Sequence, residues 1–167
     1  MIDMTEWQIS DEEGGRLAAR WWQWAQSAPE DRGPVADTTG EYAGWQQPDD
    51  VWFLAGTYGG RVVRRCEIPA GRPLFLPVLN RCHTKAHSRT PLGLEIARAR
   101  AYLNGGPIPF RRFTTQPFRM GDRMYLSWGI WAAVTPLLPG QYVLEIDAAS
   151  TGGFHVDTTY HLTAVQA

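Results

Sequence analysis

The apolar positions of this chain change their period once. Leu17, Trp21, Trp24 and Ala25 recur at helical spacing, so they share one face of a helix. Ser10-Asp11-Glu12-Glu13 just before them has the pattern of a capping box, in which a Ser hydroxyl and a Glu carboxylate satisfy each other's orphan amides. Pro29 closes the run. The spacing predicts a helix over 11–27 whose aromatic stripe lies on a sheet, with a ligand platform of Trp21, Trp22 and Trp24 as the alternative. Residues Pro29 to Asp50 are rich in Pro, Gly, Asp and Thr and predict a long surface loop.

Beyond Asp50 the pattern is that of strands. Val51 to Ala55 is apolar on both faces, as in a central buried strand, and Gly59-Gly60 turns the chain into Arg61 to Ile68. Pro73 to Leu79 follows as a strand, with Pro77 placing it at an edge or a bulge. Ala97 to Leu103 alternates and meets Asn104-Gly105-Gly106, a hairpin signal, although its Ala, Arg and Leu would also suit a helix. Phe110 to Phe118, Met124 to Val134, Gln141 to Ala148 and Phe154 to Val165 complete the set. Short strands, regular turns and one capped helix predict a single all-β domain over 1–167. It has a β-sandwich or jelly-roll-like core of antiparallel sheets over 51–165, with the helix packed on a sheet.

Two registers follow from these elements. A turn at Pro69 to Arg72 would set Ile68 opposite Pro73, Cys66 opposite Phe75 and Cys82 opposite Gly59. The two sulfurs then stand about 23 Å apart along the strands, which predicts free thiols. In the last hairpin, a loop at Ala149 to Gly153 pairs Ala148 with Phe154 and Ile146 with Val156, apolar to apolar. The same register sets Asp147 opposite His155 and Glu145 opposite Asp157 on the polar face.

Composition narrows the function classes. Of 167 residues, 44% are hydrophobic and 20% charged, with net charge −1 and no basic block, so the chain lacks the electrostatic footprint that nucleic acid requires. No run approaches the ~20 apolar residues of a membrane span, and the acidic start MIDMTEWQISDEEGG is unlike a signal peptide, so a cytoplasmic protein is expected, or a secreted one if a signal was removed.

Two polar clusters could carry chemistry. His83 and His87 lie four residues apart, as paired metal ligands do on a helix, with Cys82 or a distant carboxylate to complete a divalent-metal site. Arg89, Thr90 and Pro91 instead suggest a solvated basic loop there, and Lys85 would serve as an amine nucleophile only if burial depressed its pKa. The second cluster is His155, Asp157, Glu145 and Asp147, suited to acid/base work or a cation, or simply the wet side of a two-faced sheet. No G-x-S-x-G elbow is present, and Gly56-Thr57-Tyr58-Gly59-Gly60 lacks the lysine and helix of a phosphate loop.

Val51 to Thr57, Cys66-Glu67-Ile68-Pro69-Ala70-Gly71 and Pro73 to Asn80, with Pro136 to Tyr142 and Thr158 to Leu162, resemble a group of uncharacterised, often secreted, bacterial β-sandwich proteins. The resemblance covers most of the chain and implies the sandwich, but no activity. Two functions are compatible with these features. One is a small-molecule enzyme of isomerase, cyclase or hydrolase type, with His83, Lys85, His87, His155, Asp157, Glu145 and Asp147 as its acid/base candidates in an aromatic-lined pocket. The other is a non-catalytic module that presents Trp and Tyr to a carbohydrate or a protein. A small-molecule ligand is expected in the first case, without nucleic acid or membrane; no cofactor is required, and homo-oligomerisation is compatible with both.

Overall fold

In the computed structural model, which describes residues 5–166, the predicted helix α1 spans Asp11–Ser27. The Ser10 hydroxyl accepts from the Glu13 amide at 3.1 Å, and the Glu13 carboxylate accepts from the Ser10 amide at 3.4 Å, closing the capping box. Leu17, Ala18, Trp21, Trp24 and Ala25 are buried on one face. At Gly14 and Gly15 the helix comes so close to the sheet that a Cβ at Gly15 would stand 2.6 Å from the Thr114 carbonyl oxygen, and one at Gly14 would enter the Phe113 ring.

Among the described residues ten strands follow: β1 Trp52–Phe53, β2 Gly60–Pro69, β3 Leu74–Thr84, β4 Ile96–Leu103, β5 Gly106–Pro107, β6 Arg111–Thr114, β7 Phe118–Met120, β8 Arg123–Val134, β9 Gly140–Ser150 and β10 His155–Val165. They form two sheets. The first runs β1-β3-β8-β6, with β7 also paired to β8, and the second runs β2-β10-β9-β4-β5. Two pairings, β1 with β3 and β2 with β10, are parallel, and the rest are antiparallel. The sheets face each other across Leu74, Leu76, Val78, Ile130, Leu144, Ile146, Tyr160 and Leu162. A second core lies on the other side of the first sheet, where Trp21 and Trp24 pack with Phe53, Phe75, Phe113 and Trp131. The result is an all-β sandwich with one N-terminal helix as a third layer.

Several expectations are corrected. β2 and β3 do not form a hairpin but sit in different sheets, because their patterns demand different neighbours. β3 is buried on both faces from Leu74 to Leu79 and needs cover on each side, whereas β2 alternates and leaves one face to water. The thiols of Cys66 and Cys82 are free, although the register used to predict this is not the one adopted. Within Val51 to Ala55 only Trp52–Phe53 form a strand, and it lies at an edge rather than in the centre. The Gln47 side chain closes that edge like a neighbouring strand, donating to the Phe53 carbonyl at 2.7 Å and accepting from the Phe53 amide at 2.8 Å. Pro77 sits where the β3–β8 register shifts, as a bulge residue should. The predicted strand from Phe110 to Phe118 is divided in two, β6 and β7, with Pro117 just before the second. β3 also runs on to Thr84, so Cys82 and His83 belong to a strand and not to a loop.

The last hairpin is displaced by two residues. Val156 pairs with Ala148 and Thr158 with Ile146, because Ala149 and Ser150 extend β9 and the Ser150 amide donates to the Phe154 carbonyl at 2.8 Å. Asp157 therefore faces Asp147 instead of Glu145, His155 faces Ala149, and Glu145 faces Thr159. A shift of two leaves every side chain on its face, so matching apolar to apolar does not detect it.

Candidate functional site

The outer face of the second sheet is bare, and two ion pairs lie on it. Asp147 and Asp157 stand directly opposite, and one arginine flanks each: Arg98 holds Asp147 at 3.0 Å, and Arg61 reaches Asp157 at 4.0 Å. The like-charge pair is thereby relieved at the surface, where such contacts contribute little to stability. Glu145 and His155 are exposed on the same sheet. A hollow of about 560 Å³ also lies on this sheet, lined by Arg65, Glu67, Gln141, His161 and Thr163 among others. None of Glu145, Asp147, His155 and Asp157 lines it.

The histidine cluster divides. His83 is buried and both its ring nitrogens are engaged, Nε2 accepting from the Leu92 amide at 3.0 Å and Nδ1 lying 2.9 Å from the Thr84 carbonyl. This fixes the neutral tautomer with Nδ1–H as donor and pins the following loop onto β3. Lys85 and His87 are exposed in the turn beyond the strand, and the His87 ring meets that of His83 edge-on at 5.7 Å. Among the described residues, no three His, Cys, Asp or Glu side chains are grouped so as to hold a metal. Burial pushes the Cys66 thiol up to about 12 and the Cys82 thiol to about 11, so both remain protonated and unreactive at neutral pH.

Two features of the interior were not foreseen. The first is Arg64, an inward-facing residue of β2 that is 1% exposed. Its guanidinium donates to the carbonyls of Val35, Asp37, Ala55 and Gly56 and to the Tyr160 hydroxyl, at 2.7–3.0 Å. The Asp37 carboxylate, also buried, accepts from the amides of Thr39, Gly40 and Tyr42 and from the Thr39 hydroxyl. Burial alone would raise its pKa, but these hydrogen bonds outweigh that and hold it below the usual range. Together the two residues secure loop 28–50, whose Thr39 carbonyl also accepts from the Arg65 amide and so covers the free edge of β2.

The second is an aromatic cleft where α1, β3 and the start of β10 meet. Trp22, Val35, Tyr58, Asn80 and Phe154 are among its walls, around a volume of about 160 Å³. Trp22 is fixed in place, its Nε1 donating to the Ser127 hydroxyl at 2.7 Å. Tyr58 (67% exposed) and Phe154 (36%) are two of the few large apolar residues at the surface, and both stand in this cleft. Ala25, Gln26, Val35 and Tyr58 are shared with an adjoining hollow of about 480 Å³ that extends toward Glu30. Asn80, opposite Gly129 in the ladder, carries an Nδ2 that is buried and has no hydrogen-bond partner among the described residues.

None of the seven acid/base candidates lines the cleft, whose polar side chains are the amides of Gln26 and Asn80, the Thr57 hydroxyl, the Tyr58 phenol and the Trp indoles. The signal in the sequence was partial: Trp22 stood within a helical aromatic run, whereas Tyr58, Asn80 and Phe154 come from segments that only the fold brings together. No helix among the described residues is long and apolar enough to cross a membrane. Comparison of the chain with models of protein families, with curated proteins and with solved structures finds no match to any of them.

Proposed function

We propose that this protein binds a small, uncharged, ring-bearing molecule of sugar or aromatic-metabolite type in the cleft formed by Trp22, Tyr58, Asn80 and Phe154, without transforming it. The observation that carries this reading is the unpartnered Nδ2 of Asn80. A buried amide donor without an acceptor costs about 1–3 kcal/mol, and since Asn80 lines the cleft, a ligand oxygen would remove that cost once a small rotation of the side chain turns Nδ2 toward it. The surrounding rings supply stacking surface, and a space of about 150 Å³ is enough to admit one six-membered ring. The adjoining hollow gives a larger ligand room to continue along Tyr58 toward Gln26 and Glu30. The acid/base reading has less support, because His83 is engaged by the backbone and the carboxylates of the sheet face are exposed and paired or isolated. Two free thiols also fit a reducing, cytoplasmic location.

The test is tryptophan fluorescence titrated with methyl glucoside, N-acetylglucosamine and a set of neutral aromatic metabolites. At least one compound is expected to give a saturable change and to shield the tryptophans from acrylamide. Trp22→Ala should abolish that change and Asn80→Ala should weaken binding about tenfold, a factor worth one charge-free hydrogen bond. Trp22→Phe, which keeps a ring but loses the bond to Ser127, should retain partial binding. Saturable binding that is equally strong in Trp22→Ala and Asn80→Ala, or no shielding by any compound, would overturn the assignment.

A further inference from the structure

The end of the first sheet farthest from the β2–β3 connection carries a different site, independent of the aromatic cleft. The Lys85 amide donates to the Met124 carbonyl at 2.8 Å, so the turn after β3 is stitched to the first residues of β8. The amides of His87 and Ser88 return to the Thr84 carbonyl at 3.0 and 3.3 Å, and His83 holds Leu92. These bonds fix the course of the loop on both sides of Arg89. They bring Lys85, Arg89 and Arg123 around one hollow of about 450 Å³, completed by Thr84, Ala86 and Met124.

Those three side chains have no hydrogen bond to any described residue, and no described carboxylate lies within ion-pair distance of them. In contrast, Arg16, Arg20, Arg98 and Arg111 each hold a carboxylate at 3.0 Å or less. Three unneutralised cations around one concavity repel one another and raise the local concentration of anions. Two of them are arginines, whose planar forks match the oxygens of a phosphoryl group, and the third is the single lysine of the chain, a compact charge. The hollow is local, walled by a few residues of one turn and the start of β8, so its ligand is compact.

We propose that Lys85, Arg89 and Arg123 form a binding site for a small phosphate-bearing anion. The arginines supply forked donors for the phosphoryl oxygens and Lys85 a further charge, while the aliphatic stems and Met124 give apolar surface for the body of a phosphorylated metabolite. Isothermal titration calorimetry of the full chain with pyrophosphate at low ionic strength tests this, since such contacts weaken with salt. Binding is expected, with affinity about tenfold lower in Arg123→Gln and in Arg89→Gln. Arg100→Gln, which removes an equal charge from an exposed position of β4, should leave it unchanged. Succinate, a dianion with carboxylate geometry, should bind more weakly than pyrophosphate. The site is overturned if pyrophosphate gives no binding heat, if Arg100→Gln weakens binding as much as Arg123→Gln, or if succinate binds more tightly.

Discussion

Arg64 and Asn80 are both polar residues set into apolar surroundings, and they differ in what meets their donors. Arg64 brings a full charge into the space beside Tyr160, and its guanidinium is met by four backbone carbonyls and a hydroxyl. Asn80 brings only a neutral amide, yet its Nδ2 meets nothing among the described residues. The denser and more highly charged group is thus the structural one. A completed hydrogen-bond shell leaves nothing for a ligand to add, whereas a single incomplete donor in an aromatic cleft leaves a place for one.

The comparison can be broken most forcefully at Arg64. Arg64→Met keeps length and apolar contact but removes every donor, leaving the carbonyls of Val35, Asp37, Ala55 and Gly56 without their partner. A loss of about 3–5 kcal/mol is expected, as for other buried charged groups deprived of partners. At roughly 2–4 °C per kcal/mol for a chain of this size, thermal unfolding should fall by about 10 °C. Because Val35 lines the aromatic cleft, the same variant should also blunt ligand binding there. A loss below about 1 kcal/mol would mean that loop 28–50 is held by other contacts.

Asp37 sharpens the same point through pH. Its carboxylate has a folded-state pKa below the ordinary 3.8, so its contribution is complete above that value and disappears as pH falls through the lower folded one. Asp37→Asn has a single acceptor oxygen for the donors of Thr39, Gly40 and Tyr42. It should cost about 1–3 kcal/mol at neutral pH, and the gap between the two proteins should narrow as pH falls below 3.8, as urea melts at neutral pH and near pH 3 would show. A gap of the same size at both pH values would remove the carboxylate's charge from the explanation.

His83 is the intermediate case, a side chain with the character of a catalytic residue that the fold uses as a clamp. His83→Leu preserves burial but releases the Leu92 amide and the Thr84 carbonyl. The expected cost is about 1–2 kcal/mol, accompanied by faster hydrogen exchange at Leu92 and weaker pyrophosphate binding through the loosened Arg89. Unchanged exchange at Leu92 would show that the loop does not depend on this ring.

The elements were legible because period and punctuation are local properties. Ser10 and Glu13 start α1, Pro29 follows its end, and the alternation of Val156, Thr158, Tyr160 and Leu162 marks the buried face of β10. Register and partner choice were not legible, since a two-residue shift in the last hairpin preserves every face and a turn at Pro69 to Arg72 suits a sheet crossing as well as a hairpin. Arg64 did leave a trace: it shares the inward parity of Val62, Cys66 and Ile68, a charged residue on the apolar side of a two-faced strand. Asn80 left none, because whether its amide finds a partner depends on neighbours that only the fold brings together.

Asn80→Leu separates a binding residue from a structural one by the sign of its effect. If the amide serves only the fold, replacing it must destabilise, as replacing Arg64 or His83 does. If it waits for a ligand, leucine removes a buried donor that has no acceptor and fills nearly the same space with apolar atoms. The free protein should then gain about 1 kcal/mol, a small rise in the urea midpoint with unchanged slope. The same substitution removes the donor a ligand oxygen would use, so the gain in stability should accompany a loss of the ligand-dependent fluorescence change. Stability that falls by 1 kcal/mol or more would instead place an ordered water on Nδ2 and return Asn80 to the same class as Arg64.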